Sequence, residues 1–116
     1  MDDKKKNGII MTLLVILIVA SIFAIFYFKG QINLEEDLMK CIAEKSHIYV
    51  SRICSHCAEQ KILLGDYVGL FNMTDCLDES EKCAALGIPG YPTWIINNQT
   101  YFGVYSVDEL KEKAGC

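Results

Sequence analysis

Residues Ile9 to Phe28 form an uncharged, almost wholly apolar run that sets the terms for the rest of the chain. As a helix this run rises about 1.5 Å per residue and reaches roughly 30 Å, the thickness of a bilayer's hydrocarbon layer. A core helix of a soluble domain can be as apolar, but a chain of 116 residues has too little other structure to cover such a rod on every face. A cleaved signal peptide is the other alternative, since Val19-Ala20-Ser21 resembles a cleavage site. The apolar run continues past it to Phe28, which favours an uncleaved anchor. Lys4, Lys5 and Lys6 precede the span, and positive flanks tend to stay cytoplasmic. The residues after the span are therefore expected outside.

The expected organisation is a cytoplasmic tail over residues 1–8, an anchor over 9–28, a connector and helix over 29–46, and one small domain over 47–116. Beyond the anchor acids outnumber bases, which disfavours a nucleic-acid partner bound through its phosphates. All six cysteines lie beyond the anchor, a density typical of oxidising compartments. Six cysteines can pair in about fifteen ways, so their connectivity is open at this point.

After Gly30-Gln31-Ile32, Asn33 with Glu36 reads as a helix cap, and Leu34, Leu38, Cys41 and Ile42 supply an apolar stripe for a helix to about Lys45. His47 to Ser51 alternates like a strand and leads to Cys54. A helix from Cys57 to Leu64 is expected to stop at Gly65-Asp66, with a second strand over Val68 to Met73. A short helix from Glu79 to Leu86 closes at Gly87, and the loop Ile88 to Pro92 precedes a strand from Thr93 to Ile96. Asn97-Asn98 suits a tight turn into a strand over Thr100 to Val104. Ser106 with Glu109 is a capping signature for a last helix through Ala114. This order predicts an α/β layered domain.

Cys54-Ser55-His56-Cys57 falls where the strand gives way to a helix. Unpaired N–H groups at a helix start stabilise a thiolate, and such sites lower a cysteine pKa from about 8.5 to between roughly 3.5 and 7.5. Cys54 is expected to be the attacking sulfur and Cys57, one turn inward, the resolving one. His56 and Arg52 are expected to add positive charge or a hydrogen bond at Cys54, which favours the reduced pair and makes the disulfide oxidising. No acid in the strand is placed to serve as a buried base for Cys57. Two other readings stay open: half of a zinc site completed by His56, Cys76 and Cys83, and a structural loop clip.

The downstream loop Gly90-Tyr91-Pro92-Thr93 makes the pattern more specific. With the strand, the Cys-x-x-Cys helix, the hairpin and the last helix, it resembles the thioredoxin family. That resemblance implies a thioredoxin-like fold in which Pro92 is cis and faces the redox pair, with Tyr91 and Ser55 meeting the substrate. A trans proline in a surface turn is the plain alternative. More narrowly, residues Leu38 to Gly115 resemble the thioredoxin-like domain attached to bacterial and plant vitamin K epoxide reductase homologues. The resemblance rests on the Cys-x-His-Cys of residues 54–57, Asp75-Cys76, Lys82-Cys83, Gly90-Tyr91-Pro92-Thr93-Trp94 and Gly103-Val104-Tyr105-Ser106. Ser55 and Ile53 depart from it, standing where proline and an aromatic are common. It implies oxidation of thiols in secreted proteins and transfer of electrons to a quinone-linked membrane partner. One span is too few for a quinone-binding bundle, so that partner is expected to be a separate chain.

Cys76 and Cys83 are expected to form a structural disulfide, with a second redox relay as the alternative. Cys41 and Cys116 remain unassigned: buried thiols, partners of each other, or links between chains. Asn72-Met73-Thr74 and Asn98-Gln99-Thr100 match the glycosylation pattern. Trp94, Tyr101 and Phe102 at strand spacing are expected in the core or on a sheet face, and His47 at a strand end without catalytic duty. No cofactor or metal is expected. The function expected is a thiol-disulfide oxidase, against a reductase or isomerase using the same pair, or a non-catalytic binding module.

Overall fold

The computed structural model describes residues 2–116, for Ile32 the backbone alone. The chain divides into two compact units, one ending at Glu35 and one spanning Glu36–Cys116. Helix α1 runs over Asp2–Glu44 and contains a stretch long and apolar enough to cross a membrane. The large apolar residues from Ile9 to Phe28 are exposed, as the side chains of a helix that crosses a bilayer would be.

Asn33 does not open a new helix: α1 passes without a break through Gly30 and Asn33. A helix already formed on both sides gains a hydrogen bond for each residue added, which offsets the roughly 1 kcal/mol that an interior glycine costs.

In the second unit α1 is followed by β1 (Ser46–Val50), α2 (Ser55–Leu64), a 3-10 turn (Gly65–Leu70), β2 (Met73–Asp75), α3 (Ser80–Ala85), β3 (Thr93–Ile96), β4 (Gln99–Phe102) and α4 (Val107–Ala114). The strands form one mixed sheet in the order β2-β1-β3-β4. β1 runs parallel to β2 and antiparallel to β3, and β3 is antiparallel to β4. Asn97 and Asn98 make the β3–β4 turn with φ of 49° and 64°, a conformation asparagine tolerates better than most residues.

The strand expected over Val68 to Met73 is replaced by the 3-10 turn and a shorter β2. A short apolar run does not by itself distinguish helix from strand. Phe71 turns into the core, and ladder pairing with β1 begins only at Met73, opposite Ile48. β4 likewise ends at Phe102, because Gly103 takes a φ of 121° and turns the chain so that its N–H donates to Pro92 O at 3.0 Å.

Alternation along the strands separates two cores. Ile48 and Val50 of β1 and Trp94 and Ile96 of β3 pack with Met39 and Ile42 of α1, Leu64 of α2 and Leu110 of α4. Tyr49 joins a smaller cluster with Cys76 and Cys83, against which Ile95 packs. Burying side chains such as Ile48 and Leu110 contributes about 1.5–3 kcal/mol each. The capping box expected at Ser106 and Glu109 is present, and Gly115 closes α4 in the left-handed conformation.

Two disulfides brace this unit. Cys76 is bonded to Cys83 across a separation of 7 residues, and Cys41 to Cys116 across 75, which resolves a pairing the sequence left open. Cys54 and Cys57 are free thiols.

Candidate functional site

β1 ends at Val50, and the turn that follows is closed by Cys54 N–H donating to Ser51 O at 3.0 Å. This turn places Cys54 at the N-cap of α2, in extended backbone geometry, where its sulfur accepts from Cys57 N–H at 3.4 Å. A sulfur thus fills the position that a serine or aspartate oxygen usually occupies at a helix start. Cys54 is partly exposed, whereas Cys57 retains 2% exposure and packs into the main core.

The two thiols are driven apart in acidity. Partial burial acts upward on Cys54, but the Cys57 thiol, the Cys57 N–H and the His56 N–H together hold its pKa below the ordinary thiol value. Burial pushes Cys57 up to about 11, with Ser51's backbone and the Lys61 charge acting weakly the other way and Cys54 adding to the rise. One sulfur is therefore accessible and easily ionised, and the other is buried and holds its proton.

Tyr91 and Pro92 meet this pair from the loop before β3. The Tyr91–Pro92 peptide bond is cis, and Tyr91 O lies 3.4 Å from Cys54 Sγ, accepting the thiol proton. Thr93 Oγ1 donates to Gly90 O at 2.7 Å and closes the loop on itself. A groove of about 320 Å³ is lined by His56 and Glu59 of α2, by Tyr91 and Pro92, and by Phe102, Gly103 and Val104; Tyr91, whose carbonyl meets the Cys54 sulfur, links the two.

Two expected contributions to the Cys54 field are absent. The His56 imidazole is 71% exposed and faces Glu59, with Nδ1 to Oε2 at 3.5 Å; what His56 gives the sulfur is its backbone N–H. A side chain on the exposed first turn of a helix finds its partner three residues on, not at the cap. Arg52 forms a forked pair with Asp78 at 2.9 and 3.0 Å and lies 3.7 Å from Asp75, so its charge is compensated away from the thiol. Ser55, the first residue of α2, is exposed beside the pair.

Sequence reasoning missed three contributors. Phe102, expected in the core or on a sheet face, is 57% exposed and lines the groove. Its ring lies so close to Gly90 that an added Cβ would meet it at 2.6 Å. Gln60 gave no signal because a helix pattern does not say which polar residue turns inward, and Glu59, exposed at the groove, reads like any surface acid on a helix. His47 is held by Thr74 at 2.7 Å and takes no part in the site.

The chain matches no family model. It is 37% identical, over 71 aligned residues, to the thiol-disulfide oxidoreductase LTO1 of Arabidopsis thaliana. The match covers 53% of this chain and 19% of that protein, so the chain spans about a fifth of the length of this relative. Together with the free cysteine pair, the likeness supports a redox function and a thioredoxin-like relationship.

Proposed function

We propose that the chain is a membrane-anchored, thioredoxin-like thiol-disulfide oxidoreductase that acts outside the cytoplasm and oxidises thiols of secreted proteins. The observation that carries this reading is the acidity split of Cys54 and Cys57 at the start of α2. The sheet order, the proline loop beside Cys54 and the likeness to a thiol-disulfide oxidoreductase support it.

In the oxidised enzyme a substrate thiolate attacks Cys54 of the Cys54–Cys57 disulfide. A mixed disulfide forms at Cys54, and Cys57 leaves and takes a proton. A second substrate thiolate then attacks the substrate sulfur and releases Cys54 as a thiolate, for which its lowered pKa makes it a good leaving group. The substrate loses two electrons and two protons, and the reduced pair holds both electrons. Tyr91, with Ser55 at the rim, receives the substrate backbone in strand-like fashion. Electrons leave to a separate quinone-linked membrane protein similar to vitamin K epoxide reductase. The anchor keeps the redox unit on the membrane, with the lysines of the first residues in the cytoplasm.

A second reading, as a reductase or isomerase, draws on the pairing of Arg52 with Asp78, which compensates a charge that would favour an oxidising pair, and on the His56 imidazole facing Glu59 instead of Cys54. Oxidation of a peptide dithiol by wild type and by Cys54→Ser tests the enzyme itself: equal rates overturn it. A reduction potential well above about −270 mV supports the oxidase, and one near or below that value the reductase. Cys57→Ala is expected to leave substrates bound covalently at Cys54, and membrane extracts name them and the redox partner.

A further inference from the structure

Helix α2 buries three side chains, Cys57, Gln60 and Leu64, on one stripe toward the core. An amide at such a position is costly unless all its polar atoms are satisfied, and a leucine fills the same space without that demand. Gln60 is 1% exposed and fully engaged. Its Nε2 donates to Tyr105 O at 2.9 Å, and its Oε1 accepts from Tyr105 N at 2.8 Å and from Trp94 Nε1 at 3.3 Å.

Two of these bonds engage both backbone groups of a single residue, as a neighbouring strand does. Tyr105 lies in the stretch between β4 and α4, outside any helix or strand, so a side chain supplies its pairing. Two residues earlier, Gly103 N–H donates to Pro92 O at 3.0 Å. Val104 is thus held between two fixed points, and Phe102, Gly103 and Val104 are the groove residues contributed by this stretch.

We infer that Gln60 is a positioning residue that ties residues 103–105 to the helix carrying both cysteines, and so fixes the groove wall beside Cys54 for the substrate chain. The inference rests on the proposed thiol-disulfide exchange, because it assigns the groove to the protein substrate of that reaction. Gln60 acts through the backbone it holds, one helical turn from Cys57, and touches neither sulfur nor substrate.

The test uses the full chain in detergent, with glutathione disulfide as the oxidant that regenerates the Cys54–Cys57 bond and its uncatalysed rate subtracted, and two probes, an unstructured peptide dithiol and dithiothreitol, which is too small to span the groove. Gln60→Met keeps the volume and removes all three hydrogen bonds. The KM for the peptide is expected to rise roughly fivefold or more, as a loosened binding surface demands. The rate with dithiothreitol and the pH at which Cys54 ionises are expected to stay as in wild type. Trp94→Phe removes the indole bond and some volume from the buried core but leaves both bonds to Tyr105, and is expected to leave the peptide KM within about twofold.

An unchanged peptide KM in folded Gln60→Met overturns the inference, as does a parallel fall with both probes, which marks a merely structural role. If Gln60→Met does not fold, hydrogen exchange of the wild-type Tyr105 amide decides. Protection like that of the sheet supports the latch, and exchange at the rate of an exposed loop overturns it. A wild type inert toward both dithiols removes the functional reading instead, while the Tyr105 amide still reports whether the latch exists.

Discussion

Cys54 and Tyr91 meet sulfur to carbonyl oxygen at 3.4 Å, across the two loops that precede α2 and β3. The carbonyl accepts the proton of the thiol, while the N–H groups of His56 and Cys57 favour the thiolate. Opposed contacts at one sulfur let it cycle between protonated, ionised and disulfide-bonded forms without rebuilding its surroundings. In the proposed reaction the substrate peptide meets the sulfur at this same contact.

Alkylation with iodoacetamide, followed by mass spectrometry across pH, reads this arrangement directly. Cys54 is expected to react with an inflection below the ordinary value of about 8.5, and Cys57 to resist until about pH 11. The Cys57 thiol is one of the groups that lower the Cys54 pKa, so Cys57→Ala is expected to move the Cys54 inflection upward. An inflection of Cys54 at or above the free-thiol value contradicts a stabilised thiolate at the start of α2.

The raised pKa of Cys57 also ties stability to pH in the reduced protein. Unfolded chains lose this proton near pH 8.5 and the folded chain only near 11, so the folded state binds more protons between those values. Stability is fully present below the lower value and falls as pH rises toward the upper one. Urea midpoints of reduced wild type are expected to drop over that window more steeply than those of Cys57→Ala, and equal slopes refute it.

Asp78→Asn takes from the Arg52 guanidinium, two residues before Cys54, the charge of its forked partner and leaves it with the Asp75 carboxylate at 3.7 Å, so only part of its charge is released. The released charge is expected to favour the Cys54 thiolate and raise the reduction potential. Arg52 is more than half exposed, so salt screens the effect and the shift is expected to stay below about 30 mV, a tenfold change in equilibrium. Equilibration with glutathione measures the shift, and a lowered potential refutes the expected sign.

Gly90→Ala places a methyl group 2.6 Å from the Phe102 ring. The ring is exposed at its outer side and can yield, so the stability cost is expected to be about 1 kcal/mol, with a larger effect on the peptide KM. Phe102→Ala removes the clash. The double variant is therefore expected to be more stable than the sum of the two single changes predicts, and simple additivity in denaturation midpoints contradicts the contact.

Much of this unit was legible in the sequence because its signals are local. The Ser106–Glu109 box, the paired asparagines at 97 and 98 and the strand Thr93–Ile96 each follow from residues within a few positions of one another. The cysteines of the site stand at the strand-to-helix change read from the sequence, Cys54 between β1 and α2 and Cys57 in the first turn of α2. What the sequence did not carry depends on partners far along the chain. The guanidinium of Arg52 is drawn by Asp78, 26 positions on, and although Glu59 stands only three residues from His56, no spacing rule ranks a carboxylate above a thiolate. Gln60 reads as a surface residue until Tyr105, 45 positions later, is seen to pair with it. The Cys41–Cys116 bond closes over an even longer interval, and chemistry alone left it undetermined.

That long covalent closure has a consequence for how the protein endures attack. A protease that cuts once anywhere between Cys41 and Cys116 does not shed the distal fragment, because that piece stays fastened to α1 through sulfur. A nicked molecule keeps its parts together until a reductant opens the bond.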